Sequence, residues 1–320
     1  MKKLLAILLA VMMVAALAVP AMAAEANLTM GTGGEAGTYY AFGGVLGSYI
    51  GQNTDIKINV VSSGGSAANI TGIVVDGTYD LATVQSDVMT YAYNGSNSFE
   101  GNEMSDFRVL GGLYAESVQI VTCNPDIKSV ADLAGKNVCT GDIGSGTYFN
   151  AVDILAAYGL TPDDINVKEG SFAASAEDLK DGKIDAAFVT AGAPTTAVVD
   201  LATSKDVYLI SIDDEHMETL LTDCPSYFAY TIPAGTYNGF DEDTQTVCMK
   251  ATLICRADLD DDVAYTIVST IFDNIDAITE LHAMGVGLSL DFATKDIEVP
   301  FSAGAARYYA EHGITVETAD

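Results

Sequence analysis

A chain of 320 residues in which 49% are hydrophobic and 18% charged has the composition of a folded globular protein and not of a disordered one. Its 44 Asp and Glu against 14 Lys and Arg give a formal charge of −30, which argues against a nucleic-acid partner and leaves any anionic ligand to be held by local groups against an adverse field. The length suffices for two compact lobes, each with its own core.

The N-terminus reads as a cleaved Sec signal peptide over residues 1–23. Lys2 and Lys3 precede the apolar run Leu4–Val19, then come Pro20 and the small residues around Ala21 and Ala23. The run is too short for a comfortable membrane span, no cysteine follows it to carry a lipid, and no later segment offers about twenty unbroken apolar residues. The mature chain is therefore expected outside the cytoplasmic membrane, periplasmic or otherwise extracytoplasmic, and free of an anchor.

Next, a strand over Leu28–Met30 leads into the turn Gly31-Thr32-Gly33-Gly34-Glu35-Ala36-Gly37-Thr38 and a helix to about Ile50. A strand at Ile56–Val61, a helix at Ser66–Val75 and a strand at Leu81–Val84 complete a β-α-β-α-β unit. The same grammar returns about 109 residues on, with a strand at Asn137–Thr140, the turn Gly141–Thr147 and a helix to about Tyr158. Gly37-Thr38-Tyr39-Tyr40 aligns with Gly146-Thr147-Tyr148-Phe149, and Asp76-Gly77-Thr78-Tyr79-Asp80 answers to Asp181-Gly182-Lys183-Ile184-Asp185. Two such units, joined by extended segments at Val118–Cys123 and Ala251–Arg256, predict an α/β protein of two lobes facing across a ligand cleft. Lobe I is expected to comprise residues 27–117 plus about 251–320, and lobe II residues 118–250, with the return crossing between 226 and 256 and the placement of 226–250 open.

Ligands of open α/β sheets bind beyond the carboxyl ends of the strands, where both Gly-rich turns lie, each opening a helix. Helix N-termini present unpaired N–H groups and about half a unit of positive charge, so two of them facing one cleft form a cradle for the carboxylates of a small acid. From the first turn the candidates are Gly33, Gly34, Thr38 and Tyr39; from the second, Gly144, Ser145, Gly146 and Thr147. Ser63, Gly65 and Ser66 occupy the next loop, with Gly170-Ser171-Phe172 opposite, where hydroxyls either cap a helix or reach the ligand. Gln85, which offers both a donor and an acceptor, and Thr190 follow matching valines at the ends of the third strands, with Gly192 just beyond. Tyr39, Tyr40 and Tyr148 can wall the pocket or pack on neighbouring strands.

Other chemistries fit less well. Gly31-x-Gly33-x-x-Ala36 matches a dinucleotide fingerprint, but Ser62 and Ser63 stand where the ribose-binding acid belongs, so an NAD-type oxidoreductase is disfavoured. His216, His282 and His312 have no metal-ligand spacing, and neither a metal nor a cofactor is expected. Asp260-Asp261-Asp262 reads as helix-start charge, and His282 as a packed or capping residue. The five cysteines form no C-x-x-C pair, and their odd number forbids complete internal pairing.

The chain resembles the TAXI family of solute receptors for tripartite ATP-independent periplasmic (TRAP) transporters. The resemblance is carried by Gly31–Gly34 with Thr38-Tyr39-Tyr40, Ser63–Ser66 with Asn69-Ile70, and Gln85-Ser86-Asp87 with Tyr91-Ala92-Tyr93. Ile127–Lys136, Gly144–Thr147, Asp185–Phe188, Ile232–Tyr237 and Gly304–Tyr309 extend it along the chain, and Ser302 departs from it by replacing a histidine. It implies a type II periplasmic-binding-protein fold with a hinge, no catalysis, and delivery of a small carboxylate to the TRAP membrane permease subunits. Glutamate-like amino acids, 2-oxoacids and dicarboxylates are the implied ligands, held by Gly-rich turns, hydroxyls and Gln85 without an arginine clamp. The binding subunit of an ABC importer, which shares the fold, is the alternative.

Overall fold

The structure, a computed structural model, describes residues 25–142 and 144–319; the expected leader over 1–23 lies outside the described residues. The first unit runs β1 (Ala26–Gly31), α1 (Thr38–Asn53), β2 (Ile56–Val61), α2 (Ser66–Val74), β3 (Leu81–Gln85), α3 (Ser86–Asn94), and leads into the 16-residue strand β4 (Phe107–Thr122). The second runs β5 (Asn137–Cys139), α4 (Gly146–Ala157), β6 (Asn166–Lys168), α5 (Phe172–Lys180), β7 (Ala186–Ala191) and α6 (Thr196–Ala202). Then come β8 (Tyr208–Leu209), α7 (Asp214–Asp223), β9 (Phe228–Ile232) and the 13-residue β10 (Thr244–Arg256). The helices α8 (Asp261–Phe272), α9 (Ile275–Leu281), α10 (Leu290–Thr294) and α11 (Ala303–Glu311) close the chain.

The sheet order is β2-β1-β3-β10-β4-β7-β5-β6, with β8 on β4 and β9 on β10. Its outer thirds, β2-β1-β3 and β7-β5-β6, are parallel sets of equivalent topology, each built by one β-α-β-α-β unit. Between them lies the antiparallel pair β4–β10. The internal echo extends to individual hydrogen bonds. Gly77 (φ +60°) and Gly182 (φ +69°) take the left-handed conformation after the paired aspartates. Asp80 Oδ2 accepts the Thr29 N–H and Asp185 Oδ2 accepts the Asn137 N–H, both at 2.8 Å, so each carboxylate ties the third strand of its unit to the first.

The strands β3 and β7 are buried along their whole length, as strands covered on both faces must be, and their sequences LATVQ and AAFVTA are correspondingly short of charge. The helix α1 buries Tyr39, Phe42, Leu46 and Ile50 at helical spacing. Gly43 and Gly47 lie on the same buried face, where a Cβ would come within 2.9 Å of Thr32 and 2.8 Å of Val60, so glycine sets how closely the helix sits on β1 and β2. One apolar cluster draws on Leu28–Tyr114 and Ala251–Tyr309, and two others on residues between Val118 and Met249. We propose that the lobes divide there, with 27–117 and 251–320 in lobe I and 118–250 in lobe II. The segment left open by the sequence supplies β9, which pairs with β10, and Tyr237 and Phe240, which pack into the third cluster. Asp260 caps α8 by accepting the N–H groups of Asp262 and Val263, and the His282 ring accepts the Met284 N–H. All five cysteines are free thiols.

Removing either tie carboxylate leaves a strand N–H without its acceptor. Asp80→Ala and Asp185→Ala are each expected to cost about 1–3 kcal/mol, and the double variant the sum, because the two sites share no partner. Urea unfolding of the three variants measures this.

Candidate ligand-binding site

A cavity of about 540 Å³ opens between the two β-α-β-α-β units, within the size range of small-molecule sites. Its wall includes the first turns of four helices: Gly37, Thr38 and Tyr39 of α1, Gly65 and Ser66 of α2, Ser145, Gly146 and Thr147 of α4, and Ser171, Phe172 and Ala173 of α5. None of these helices has an acidic residue in its first turn, and α1 and α2 have no side-chain cap, so their first-turn N–H groups, other than that of Ala67, which donates to the Gly144 carbonyl, and their dipoles are left for a bound anion. Among the described residues the lining contains no Lys, Arg or His.

Twelve of the sequence candidates line this cavity: Gly33, Gly34, Thr38, Tyr39, Ser63, Gly65, Ser66, Gln85, Ser145, Gly146, Thr147 and Thr190. Gly144 and Gly192 stand behind its wall and join the lobes through their carbonyls, which accept the Ala67 N–H (3.1 Å) and the Thr38 hydroxyl (3.0 Å). Several hydroxyls have structural partners as well. Ser63 accepts the Gly65 N–H at 3.2 Å, Ser66 accepts the Gln85 N–H at 3.0 Å, and Ser145 caps α4 through the Tyr148 N–H. Among the described residues of the second Gly-rich turn, positive φ falls on Gly141 (+96°) and Gly144 (+78°); the glycines of the first turn have none and act by leaving space. Tyr148 lines a separate cavity with Tyr91 and Asp153.

Three carboxylates of the wall escaped the sequence reading: Glu35, Asp142 and Glu116. Glu35 is exposed at the rim and Asp142 is half-buried. Glu116, only 2% exposed, lies on β4 and accepts a hydrogen bond from the Tyr39 hydroxyl at 2.5 Å. Burial holds its carboxyl well above the ordinary carboxylate range, against the opposing effect of that bond. No motif marks it, because a single acid in a long apolar strand has no characteristic neighbour.

Beside the cavity, Asn150 of α4 sits wholly buried at the centre of a polar network spanning both units. Its Oδ1 accepts from Gln85 Nε2 (2.7 Å) and Thr190 Oγ1 (2.9 Å), while its Nδ2 donates to Asp87 Oδ2 (3.0 Å) and to the Tyr227 hydroxyl (2.7 Å), which donates to Asp153 (2.7 Å). A Cβ on Gly146 would fall 1.1 Å from Gln85 Oε1, so a glycine is required where the two units meet. Among the described residues Asp87 has no cation partner. Burial, with Asp153 adding to it, pushes its carboxyl up to about 7 although hydrogen bonds from Val88 and Asn150 oppose the shift.

The profile of the NMT1-like family matches residues 30–313, nearly the whole described chain. The chain belongs to the NMT1-like family. Among solved structures, a protein of Bordetella bronchiseptica RB50 superposes with a TM-score of 0.54 at 18% identity over 89% of each chain. The substrate-binding protein of an ABC uptake transporter from Streptococcus pneumoniae, with bound histidine, gives 0.50 at 14% identity over 84% of this chain and 95% of that one. The alkanesulfonate-binding protein SsuA of Xanthomonas axonopodis pv. citri, bound to MOPS, gives 0.49 at 17% identity over 91% and 95%. This NMT1-like chain thus has the two-lobed type II fold of periplasmic binding proteins. No described helix is long and apolar enough to cross a membrane.

The buried Asp87 makes stability depend on pH. Below pH 4 the folded and unfolded chains both hold its proton; between about 4 and 7 the unfolded chain releases it while the folded chain keeps it, so stability falls as pH rises through that window, by on the order of a few kcal/mol. The ligand-free protein should therefore melt at lower temperature at pH 7.5 than at pH 5, and Asp87→Asn should flatten the difference; a wild-type slope in the variant, read by scanning fluorimetry, refutes this role.

Proposed function

We propose that this NMT1-like protein is a non-catalytic extracytoplasmic receptor that captures a small carboxylate between its lobes and delivers it to a membrane importer. The observation that carries the reading is the convergence of four helix N-termini, free of first-turn acids, on a cavity without basic side chains. Backbone N–H groups then replace the arginine that would otherwise hold a carboxylate, and they do so without a mobile charge that must be desolvated. The twelve candidates that line the cavity, with Glu116 and Phe172, are the proposed contact residues.

The bonds from Ala67 to Gly144, Thr38 to Gly192 and Ala197 to Ala36 join the lobes around the cavity, the arrangement of a closed clamp. Release of ligand then requires these bonds and the Asn150 network to open by rotation of one lobe about β4 and β10. Two importer classes have support. The Streptococcus pneumoniae neighbour is the substrate-binding protein of an ABC uptake transporter, which favours an ABC importer. The ordered motifs from Gly31 to Tyr309 resemble TAXI receptors, which favours TRAP permease subunits. Co-purification with the membrane subunits of one class or the other from the native membrane separates them.

A ligand that binds only the folded state at 100 times its Kd adds about 2.7 kcal/mol of stability. Glutamate, glutamine, 2-oxoglutarate and C4-dicarboxylates are the first panel, with a rise in melting temperature expected for at least one; a flat response across a broad set of metabolites refutes the receptor reading. Gly146→Ala should weaken that ligand tenfold or more in calorimetry, because its added methyl would strike Gln85 of the opposite unit and hold the two units apart, with circular dichroism checking that the variant is folded.

A further inference from the structure

A second cavity, of about 500 Å³, shares no lining residue with the first. It runs along the flank of α4, from Tyr148 and Phe149 in the first turn to Ala156 and Ala157 in the last. Tyr91 of α3 and Asn97 just beyond it close the cavity from the first unit, and Asp223 and Cys224 close it at the end of α7. Phe149 packs on the core of the first unit, with its ring centroid 6.4 Å from that of Phe99, so this cavity too lies where the units touch. The Asn150 network connects the two spaces. Gln85 and Thr190 at one end belong to the wall of the main cavity, and Asp153 at the other end belongs to the wall of this one.

Its chemistry is the converse of what the helix ends offer at the main cavity. Here α4 and α7 present their last turns, neither with a basic residue, so the negative ends of two helix dipoles are uncompensated. Asp153 and Asp223 add two carboxylates, and among the described residues the wall holds no Lys, Arg or His. Asp153 is met by neutral donors, the Tyr227 hydroxyl at 2.7 Å and the Cys224 thiol, and burial still holds its carboxyl above the ordinary range against both. Burial raises the Cys224 thiol to about 12 and the Tyr91 and Tyr227 hydroxyls above their usual values, and the charges of Asp153 and Asp87 add to each shift. The rest of the wall is largely carbon, with the rings of Tyr91, Tyr148 and Phe149 beside Val152, Ala156 and Pro162.

From this pairing of aromatic rings with acids that lack a cation, we propose that the second cavity binds an organic cation, an alkylammonium compound without a carboxylate, between the two units. Ring faces and carboxylates both attract such a group, and the carbon walls take its alkyl part. A bare metal ion suits the space poorly, since among the described residues no group of three or more His, Cys, Asp or Glu could hold one. An amino acid is disfavoured as well, because its carboxylate would lie beside Asp153 and Asp223 with no basic partner. A cation touching Tyr91 and Asp153 ties the first unit to the second. The site is separate from the cleft and does not depend on the receptor reading.

The test is calorimetric titration of the protein with choline and with putrescine at constant ionic strength, in wild type, Ala156→Trp and Asp153→Asn. Ala156 is exposed on α4, so the larger side chain fills the cavity without entering a core, while Asp153→Asn removes the charge and keeps an acceptor for Tyr227. Saturable binding of at least one cation is expected, weakened about tenfold or more in each variant, as for loss of a charge-assisted contact. A saturating dose of that cation should raise the melting temperature of wild type and leave that of Ala156→Trp unchanged. Unchanged affinity in either variant places the cation elsewhere on the acidic surface and overturns the proposal, as does the absence of saturable binding of both cations to wild type. Circular dichroism checks that the variants are folded, and Ala156→Trp decides if Asp153→Asn is not.

Discussion

The architecture depends on one antiparallel pairing, that of β4 with β10. Each strand carries residues of two cores: β4 pairs with β10 through Ser117 and with β7 from Ser117 onward, while β10 gives Ala251–Cys255 to β3 and Thr244–Cys248 to β9. Two parallel β-α-β-α-β sets are thereby fastened to a common central ribbon, and the carboxyl ends of their strands are turned toward one cleft. The placement of Glu116 follows from the same constraint, since it lies one residue before β4 changes partners.

Inside the cleft, backbone donors at the helix ends act against the acidity of the molecule as a whole and of the wall's own Glu35, Asp142 and Glu116. The chain carries a formal charge of −30, yet the first turns of four helices at the cavity hold no acid and expose backbone donors. Local dipoles act at hydrogen-bond range, whereas the surface charge is screened by salt over about 10 Å, so the near field dominates at the cavity. The buried acids Glu116 and Asp87 have the opposite consequence. Each needs a donor or a proton where it is enclosed. The Asn150 network meets much of that need by using the amide's donors and its acceptor at once.

Much of the fold was legible because its signals are local. The strand Ile56–Val61, the helix starting at Ser66, the two left-handed glycines after Asp76 and Asp181, and the Asp260 cap are each set by residues within a few positions, through hydrophobic periodicity, positive φ and side-chain capping. The repeat of Asp80 and Asp185 was visible for the same reason, and the structure gave it a cause in the matching bonds to Thr29 and Asn137. Most of the Gly- and hydroxyl-rich candidates reached the cavity because strand ends of an α/β unit must lie there. The full lengths of β4 and β10 were not legible, since only Val118–Cys123 and Ala251–Arg256 read as extended on their own.

By itself, then, the sequence determined two α/β units and the turns that open their helices. Tertiary structure alone decided what those turns face. Glu116 becomes a wall residue through Tyr39, 77 positions away, and Asn150 becomes a hub through Gln85, Asp87 and Tyr227, each separated from it by more than 60 positions. A polar residue's burial and unmet valence depend on which distant groups surround it, and no pattern of near neighbours encodes them.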